Sequence, residues 1–393
     1  MSAPGRRRPG PPLPSAWRWG FPVLIAAMAI WGVVLLFGGL TTVLDSRRGE
    51  TRAAVTDPTA PGFEAFVEQT WSMLVATEDA AGELVQVAVV AAADRTGGGG
   101  TVLLIPVEAR IFTEEAPADC EPACRLVDRH RDGGLEAVRG GVASILDVQV
   151  TGATLLTPTR WESLAGAVDP VVLDLAYDLV DTAADGTSVV RFSAGPVAVA
   201  AADVVELFGF PDHSGALDRL ARQQDWWQGW MGALAGGHPR NRLPNLELDV
   251  IDLLATVARG QIRLPPSPWT DGGGTVVVDD GWLTDVVVEM FPFPIPRVPG
   301  QRPSVRLLNG TGDPSVDGLA REAVLRAGVE LAVVGNYRND GVIQTRVIHR
   351  DPGLEAAAEA LAAAIGGGVL FDQYLSPVTD LTVVIGVDFL LRG

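Results

Sequence analysis

Residues 21–44 carry no charged side chain. Wound as a helix at about 1.5 Å per residue, such a run reaches roughly 36 Å, enough to cross a hydrocarbon core of about 30 Å with tilt. A cleaved signal peptide is the alternative, but its apolar region is only about 7 to 15 residues long and a small-x-small site should follow it. Here Thr42, Val43, Leu44 and Asp45 follow instead. The run is read as an uncleaved transmembrane helix. Arg6, Arg7, Arg8 and Arg18 precede it, and Arg47, Arg48 and Arg52 come after it. That count narrowly favours a cytoplasmic N-terminus, with Trp17 and Trp19 suited to the near interface. The expectation is a single-pass plasma-membrane protein with the bulk of the chain extracellular.

Charge sharpens this division. The chain of 393 residues holds 30 basic and 48 acidic side chains, a net charge of -18. No acidic residue precedes Asp45, so residues 1–44 carry four arginines while the remainder sets 26 basic against 48 acidic residues. Phosphate neutralisation needs a basic face, so a general nucleic-acid binder is excluded. Every basic residue is arginine, which removes the P-loop lysine, the Schiff-base lysine and the kinase strand lysine together. No Gly-x-Ser-x-Gly elbow occurs, and His130, His213, His238 and His349 are scattered without metal spacing. Cys120 and Cys124 are the only cysteines. A close isolated pair in an exported domain is most simply a disulfide loop, whereas structural zinc would want two further ligands.

The chain divides into a tail at 1–20, the helix at 21–44, a polar linker at 45–62, an α/β block at 63–290, a proline-rich linker at 291–302 and a compact α/β unit at 303–390. In the block, residues 85–92 and 101–106 read as a hairpin of buried strands around Gly97–Gly100. Residues 134–146, 161–168, 200–208, 216–234 and 247–259 read as helices, and 275–278 and 283–290 as strands. Trp226, Trp227, Trp230 and Met231 read as core. In the last unit, strands at 305–308, 329–335, 341–348 and 381–389 alternate with helices at 316–327 and around 354–365. Asn309, Gly310 and Thr311 match a glycosylation sequon, but a turn leading into a helix is the simpler reading.

Val-Arg-Leu-Leu-Asn-Gly-Thr-Gly from Val305, Gly-Leu-Ala at 318–320, Val-Val-Gly-Asn at 333–336, Thr345 and the strand at 381–389 occur in one order over nearly ninety residues. This order resembles the LytR C-terminal domain. That family's setting implies a preceding LytR-CpsA-Psr domain, and residues 70–290 hold its elements in sequence. Leu103-Leu104-Ile105-Pro106 stands at the expected strand end, a strand at 148–156 and a helix at 161–172 follow, Phe192-Ser193-Ala194-Gly195 fits Phe-x-Ala-Gly, and Arg219-Leu220-Ala221-Arg222-Gln223-Gln224 fits Arg-x-x-Arg-Gln-Gln. The resemblance implies transfer of a glycopolymer from a polyprenyl pyrophosphate carrier to peptidoglycan. Such phosphoryl transfer needs arginine forks and carboxylates holding a divalent cation, here Mg²⁺ or Mn²⁺.

The polar set of that site is depleted. Leu84 and Gln86 stand where an arginine and a metal-binding aspartate belong, Val107 and Glu108 where Arg-Asp belongs, and Gly209 and Pro211 where two arginines belong. Arg219, Arg222 and Glu108 are left as candidate catalytic residues, with Arg110, Gln223 and Gln224 as candidate substrate-binding residues. No metal ligand is assigned. Arg110 with Asp79 or Asp94 is the alternative source of a rearranged site, and pairing with Asp218 and Asp225 is the purely structural use of Arg219 and Arg222. The expectation is a degenerate, non-catalytic binding or scaffolding protein in wall assembly. The alternative is an active phosphotransferase with a rearranged site.

Overall fold

The computed structural model describes residues 55–111, 124–183, 185–211, 215–246, 249–266, 268–271 and 276–391. The apolar run at 21–44 and Cys120 lie outside them, so neither the membrane helix nor the Cys120–Cys124 pairing falls within the described structure. Among the described residues no helix is long and apolar enough to cross a membrane.

The chain enters through a short strand, β1 (Glu64–Phe66), and then builds an antiparallel meander of β2 (Ser72–Glu78), β3 (Leu84–Ala92) and β4 (Gly100–Ile105). These runs are almost wholly apolar because both faces of the meander are covered. The first turn is set by Asp79, whose Oδ1 accepts from the backbone N–H groups of Ala81 and Glu83 at 2.8 and 2.9 Å. The second needs glycine. Gly98 and Gly99 have φ of +79° and +80°, and a Cβ on either would strike the backbone at Thr256 or Gln261.

A long helix, α1 (Leu126–Leu146), leaves helical geometry at Gly133 and Gly134. It is followed by β5 (Val148–Gln149) and by β6 (Gly152–Leu156), which joins the meander parallel to β2. Helix α2 (Pro158–Ala165) starts with proline in its first turn. The expected helix over 161–172 stops early. Asp169 precedes Pro170 and is held extended at φ −101°, ψ 132°. Beyond it lie four strands the sequence reading did not assign: β7 (Val171–Leu175), β8 (Leu179–Thr182), β9 (Ser188–Phe192) and β10 (Gly195–Val199), paired as β7–β10 and β8–β9.

Helices α3 (Val204–Gly209), α4 (Ala216–Ala235), α5 (Pro239–Arg242) and α6 (Asp249–Val257) follow, then β11 (Ile262–Arg263) beside β4, and the pair β12 (Trp269–Asp271) and β13 (Val276–Val278). The resulting sheet has the order β11-β4-β3-β2-β6. Beneath it, Trp161, Phe208, Trp226, Trp227 and Trp230 are fully buried. Trp226 and Trp230 stack at 5.5 Å, and Trp161 meets Trp226, Trp227 and Phe208 edge-on at 5.3 to 5.6 Å.

Residues 283–290, expected as a strand, form most of helix α7 (Asp280–Met290). The β-branched run Val286-Val287-Val288 favours a strand locally, but Asp279 caps the helix by accepting from the Trp282 N–H at 2.7 Å. Packing then decides the outcome. Leu283, Val286 and Met290 enter the first core, while Val288 enters a second one. Strand β14 (Ile295–Pro296), inside the proline-rich stretch, pairs back to β5.

The second core belongs to β15 (Ser304–Asn309), α8 (Val316–Arg326), β16 (Glu330–Asn336), β17 (Arg346–His349), α9 (Glu355–Ile365), β18 (Gly368–Phe371) and β19 (Leu381–Ile385). The sheet order is β1-β16-β15-β19-β17-β18, so the first strand of the described chain is an edge of the last sheet. Arg306 pairs with Glu64 across that junction. Asn336 donates to the carbonyls of Pro58 and Ala60 at 2.9 and 3.0 Å. At the sequon, Asn309 is buried and its amide donates to the Asp313 carbonyl and the Asp317 carboxylate, so the triplet is a turn.

Gly335 allows β1 to lie this close, because a Cβ there would strike the Phe63 carbonyl and the Glu64 Cα. Gly335→Ala should cost about 1–3 kcal/mol by overpacking. Amide hydrogen exchange should speed up at Val67 and Asn336, which bond to Ala332 and Phe63 across the junction.

Candidate functional site

The candidate residues converge on one end of the first sheet. Antiparallel pairing sets Val87 opposite Ile105, so the loop after β4, with Val107 and Glu108, lies beside the start of β3 and the Asp79 turn. Asp94 is at the opposite end, where Ala92 pairs with Gly100, and so is separated from Glu108 by the length of the strands. Asp79 is at the near end, but its Oδ1 is occupied by its own turn.

Arg219, on the first turns of α4, pairs through Nη2 with Glu108, and both side chains keep part of their surface in solvent. Their meeting is the one part of the expected catalytic set that the structure assembles. Arg222 is 5% exposed, and its Nε and Nη2 donate to the carbonyls of Leu207 and Phe210 at 3.1 and 3.0 Å. Gln223 donates to the carbonyls of Val85 and Phe208 at 3.0 and 2.9 Å, and Gln224 to Pro265 at 3.0 Å. These three side chains are thus engaged with main chain. Arg110 presents its backbone to Val276 and Arg125. Cys124 is buried.

The sequence reading missed Arg125 and the groups around it. Arg125 precedes α1 and grips Asp128 with Nε and Nη2, both at 2.8 Å, while Asp128 also accepts from the Arg125 backbone N–H at 3.4 Å. This fork, with smaller help from the nearby Glu108, raises the Arg125 pKa, and the same fork lowers that of Asp128. Arg131 extends the cluster to Glu83 at 2.6 Å. The signal available was an arginine three residues before an aspartate at a helix start.

Three of the departed positions, Leu84, Gln86 and Gly209, are packed into the fold. Gln86 is fully buried in β3, with its Oε1 accepting from Thr77 at 3.2 Å; Thr77 in turn accepts from the Trp161 indole at 2.7 Å. Leu84 is buried. At Gly209 a Cβ would come within 2.7 Å of Val85 Cγ1, so an arginine there would require Val85 to shift. A divalent cation needs several hard oxygen donors. Gln86 is neutral, with Oε1 accepting from Thr77 and Nε2 buried without a hydrogen-bond partner, the Glu108 carboxylate is bound to Arg219, and among the described residues no three acidic, histidine or cysteine side chains gather to hold a metal. The described residues do not fit the cation.

Removing the two arginines separates their roles. Arg222→Ala should lower stability by about 2–3 kcal/mol in urea, because two buried carbonyls lose their donor. Arg219→Ala should cost about 1 kcal/mol or less. Asp128→Asn tests the helix start. Because the folded pKa of Asp128 is depressed, its contribution is present above the ordinary carboxylate range and is lost as pH falls through the lowered value. The variant should therefore be less stable than the parent at pH 7 and approach it in acid, as read by thermal unfolding across pH.

Residues 302–389 match the family described as LytR cell envelope-related transcriptional attenuator. No curated protein matches the chain. Among solved structures, Bacillus subtilis TagV is 13% identical over 57% of this chain and 96% of its own, with a TM-score of 0.43. B. subtilis TagT is 16% identical over 61% of this chain and 93% of its own, with a TM-score of 0.41. A transcriptional regulator from Enterococcus faecalis is 13% identical over 56% and 86%, with a TM-score of 0.41. Within a mixed α/β chain, residues 302–389 form a domain of the LytR C-terminal family.

Proposed function

We propose that this is a membrane-anchored cell-envelope protein that binds or scaffolds in cell-wall glycopolymer assembly, and that its larger block, about residues 63–290, is a degenerate LytR-CpsA-Psr-like domain that does not carry out transfer. The LytR C-terminal domain at 302–389 supports the envelope setting. The order of motifs from Pro106 to the Arg-Gln-Gln helix supports the reading of the larger block. Its partners are the bacterial membrane, a polyprenyl-linked glycopolymer and peptidoglycan, with residues 21–44 as the anchor.

The use of Arg222 carries the non-catalytic reading. A guanidinium that is to neutralise a pyrophosphate must present its donors to the ligand, and those of Arg222 Nε and Nη2 are spent on Leu207 and Phe210. Gln223 is committed in the same way. One observation favours a second reading. Arg219 pairs with Glu108 and Arg125 lies within its field, so two arginines and a carboxylate do share one end of the sheet, as a rebuilt phosphotransferase site would require.

The full-length protein reconstituted in lipid vesicles, supplied with a polyprenyl-pyrophosphate-linked glycan, peptidoglycan fragments and Mg²⁺ or Mn²⁺, separates the two. The expected outcome is retention of the glycan on the protein with no release of polyprenyl phosphate. Release that is abolished by Arg219→Ala, in a variant that still folds, would establish the phosphotransferase instead.

A further inference from the structure

One end of the last sheet gathers four loops. Strands β15, β16 and β19 run parallel, and their registers set Asn309, Asn336 and Ile385 side by side at their C-terminal ends. Antiparallel β1 begins at this end, with Glu64 opposite Gly335. Backbone hydrogen bonds lace the loops into one surface: Gly62 to Asn336 and Tyr337, Tyr337 to Asn309, Gly310 to Ile385, Val342 to Gly310, Val387 to Val342, and Asp388 to Ile343.

Part of this surface is apolar where it meets solvent, beside exposed polar residues such as Asn339 and Gln344. Ile343 is 76% exposed and Leu391 82%, with Val387 and Leu390 also exposed beside them. Exposed single leucines are ordinary, but four branched aliphatic side chains on two loops bonded to each other form a patch. Most carboxylates in these loops are turned onto local donors. Asp57 accepts from the Thr59 N–H and hydroxyl, Asp313 from the Ser315 N–H, and Asp388 from the Thr345 N–H and hydroxyl. Arg338 and Asp340 remain exposed at the rim.

The chain that leads to this surface selects its partner. Pro58 and Phe63 lie against it, lining a cavity of about 300 Å³ at the carboxyl ends of β15 and β16. Between the apolar run that ends at Leu44 and the first described residue, Val55, only residues 45–54 intervene. Ten residues reach at most about 36 Å when fully extended. This end of the sheet is therefore held within reach of whatever holds residues 21–44.

We propose that the face formed by Ile343, Val387, Leu390 and Leu391 rests on the lipid surface beside the anchor, so that this end of the LytR C-terminal domain lies at the membrane. This rests on the reading of residues 21–44 as a transmembrane helix. The aliphatic side chains enter the headgroup boundary, and the tether strand fixes which end of the sheet points down.

The full-length protein, reconstituted in vesicles containing brominated lipids, carries an environment-sensitive thiol probe at Ile343→Cys or Leu391→Cys. Gln301→Cys, exposed just before β15 at the opposite end of the sheet, is the control, and the unsubstituted protein gives the background of Cys120 and Cys124. The probes at 343 and 391 should shift to the blue and lose emission to the bromines, while that at 301 does neither. Equal signals at all three sites, with the protein integrated, would overturn the assignment and leave the anchor standing. Excimer emission between pyrene-labelled copies without lipid quenching would overturn it in favour of a second copy on this face. Protein that alkaline carbonate strips from the vesicles would overturn the anchor and this inference together.

Discussion

Helix α4 carries two kinds of anchor on one face, and the first domain depends on both. Arg222 and Gln223 come first, then Trp226, Trp227, Trp230, Met231 and Leu234, all buried, at the spacing of a single helical stripe. The polar pair holds the end of α3, a helix of six residues whose last four carbonyls have no intrahelical donors. So short a helix does not persist alone, and Leu207, Phe208 and Phe210 receive their hydrogen bonds from α4. With that end fixed, Phe208 sits edge-on to Trp226 at 5.1 Å and to Trp161 at 5.5 Å. The guanidinium, the amide and the indoles therefore define one geometry. A group committed to closing the fold in this way is not free to move onto a ligand without opening the core.

Part of this was legible in the sequence. The apolar periodicity of 216–234 predicts α4 within a residue at either end, and the tryptophan cluster is core, as expected. The role of Arg222 was not legible, because its acceptors lie 12 and 15 residues away in an element that only the fold brings near. Gln223 reaches further, to Val85, across 138 residues of chain. Local propensity misled at 286–288, where three valines suggested a strand and the Asp279 cap with burial on two sides made a helix. Strand β7 could have been found. Its residues alternate buried and exposed with period two, and Pro170 stops the helix before it. Strand β9 could not, because four of its five residues face solvent and show no burial pattern.

The two cores are joined more tightly than a proline-rich linker suggests. Helix α7 feeds Leu283 and Val286 into one and Val288 into the other, and Phe291 is buried in the first while Phe293 packs on the second. Asp147 at the end of α1 accepts Arg302, and Asp285 on α7 accepts Arg326 at 3.2 Å. Exposed pairs of this kind add little stability. Their value lies in orientation, since each fixes a different point on the seam.

Strand β1 bears most on how the last domain is bounded. Without it, β16 would be an edge strand with unpaired N–H and C=O groups, a template for pairing with another chain. Three residues, Glu64, Ala65 and Phe66, cover that edge, and Arg306 fixes them through Glu64. A fragment beginning near residue 303 would keep the family's motif and lose the strand that completes the sheet. The family motif and the folding unit thus have different boundaries: the first is continuous over 302–389, and the second recruits a strand from the opposite end of the described chain. Closing the sheet with residues adjoining the tether makes the placement of the last domain a property of the fold and not of linker length.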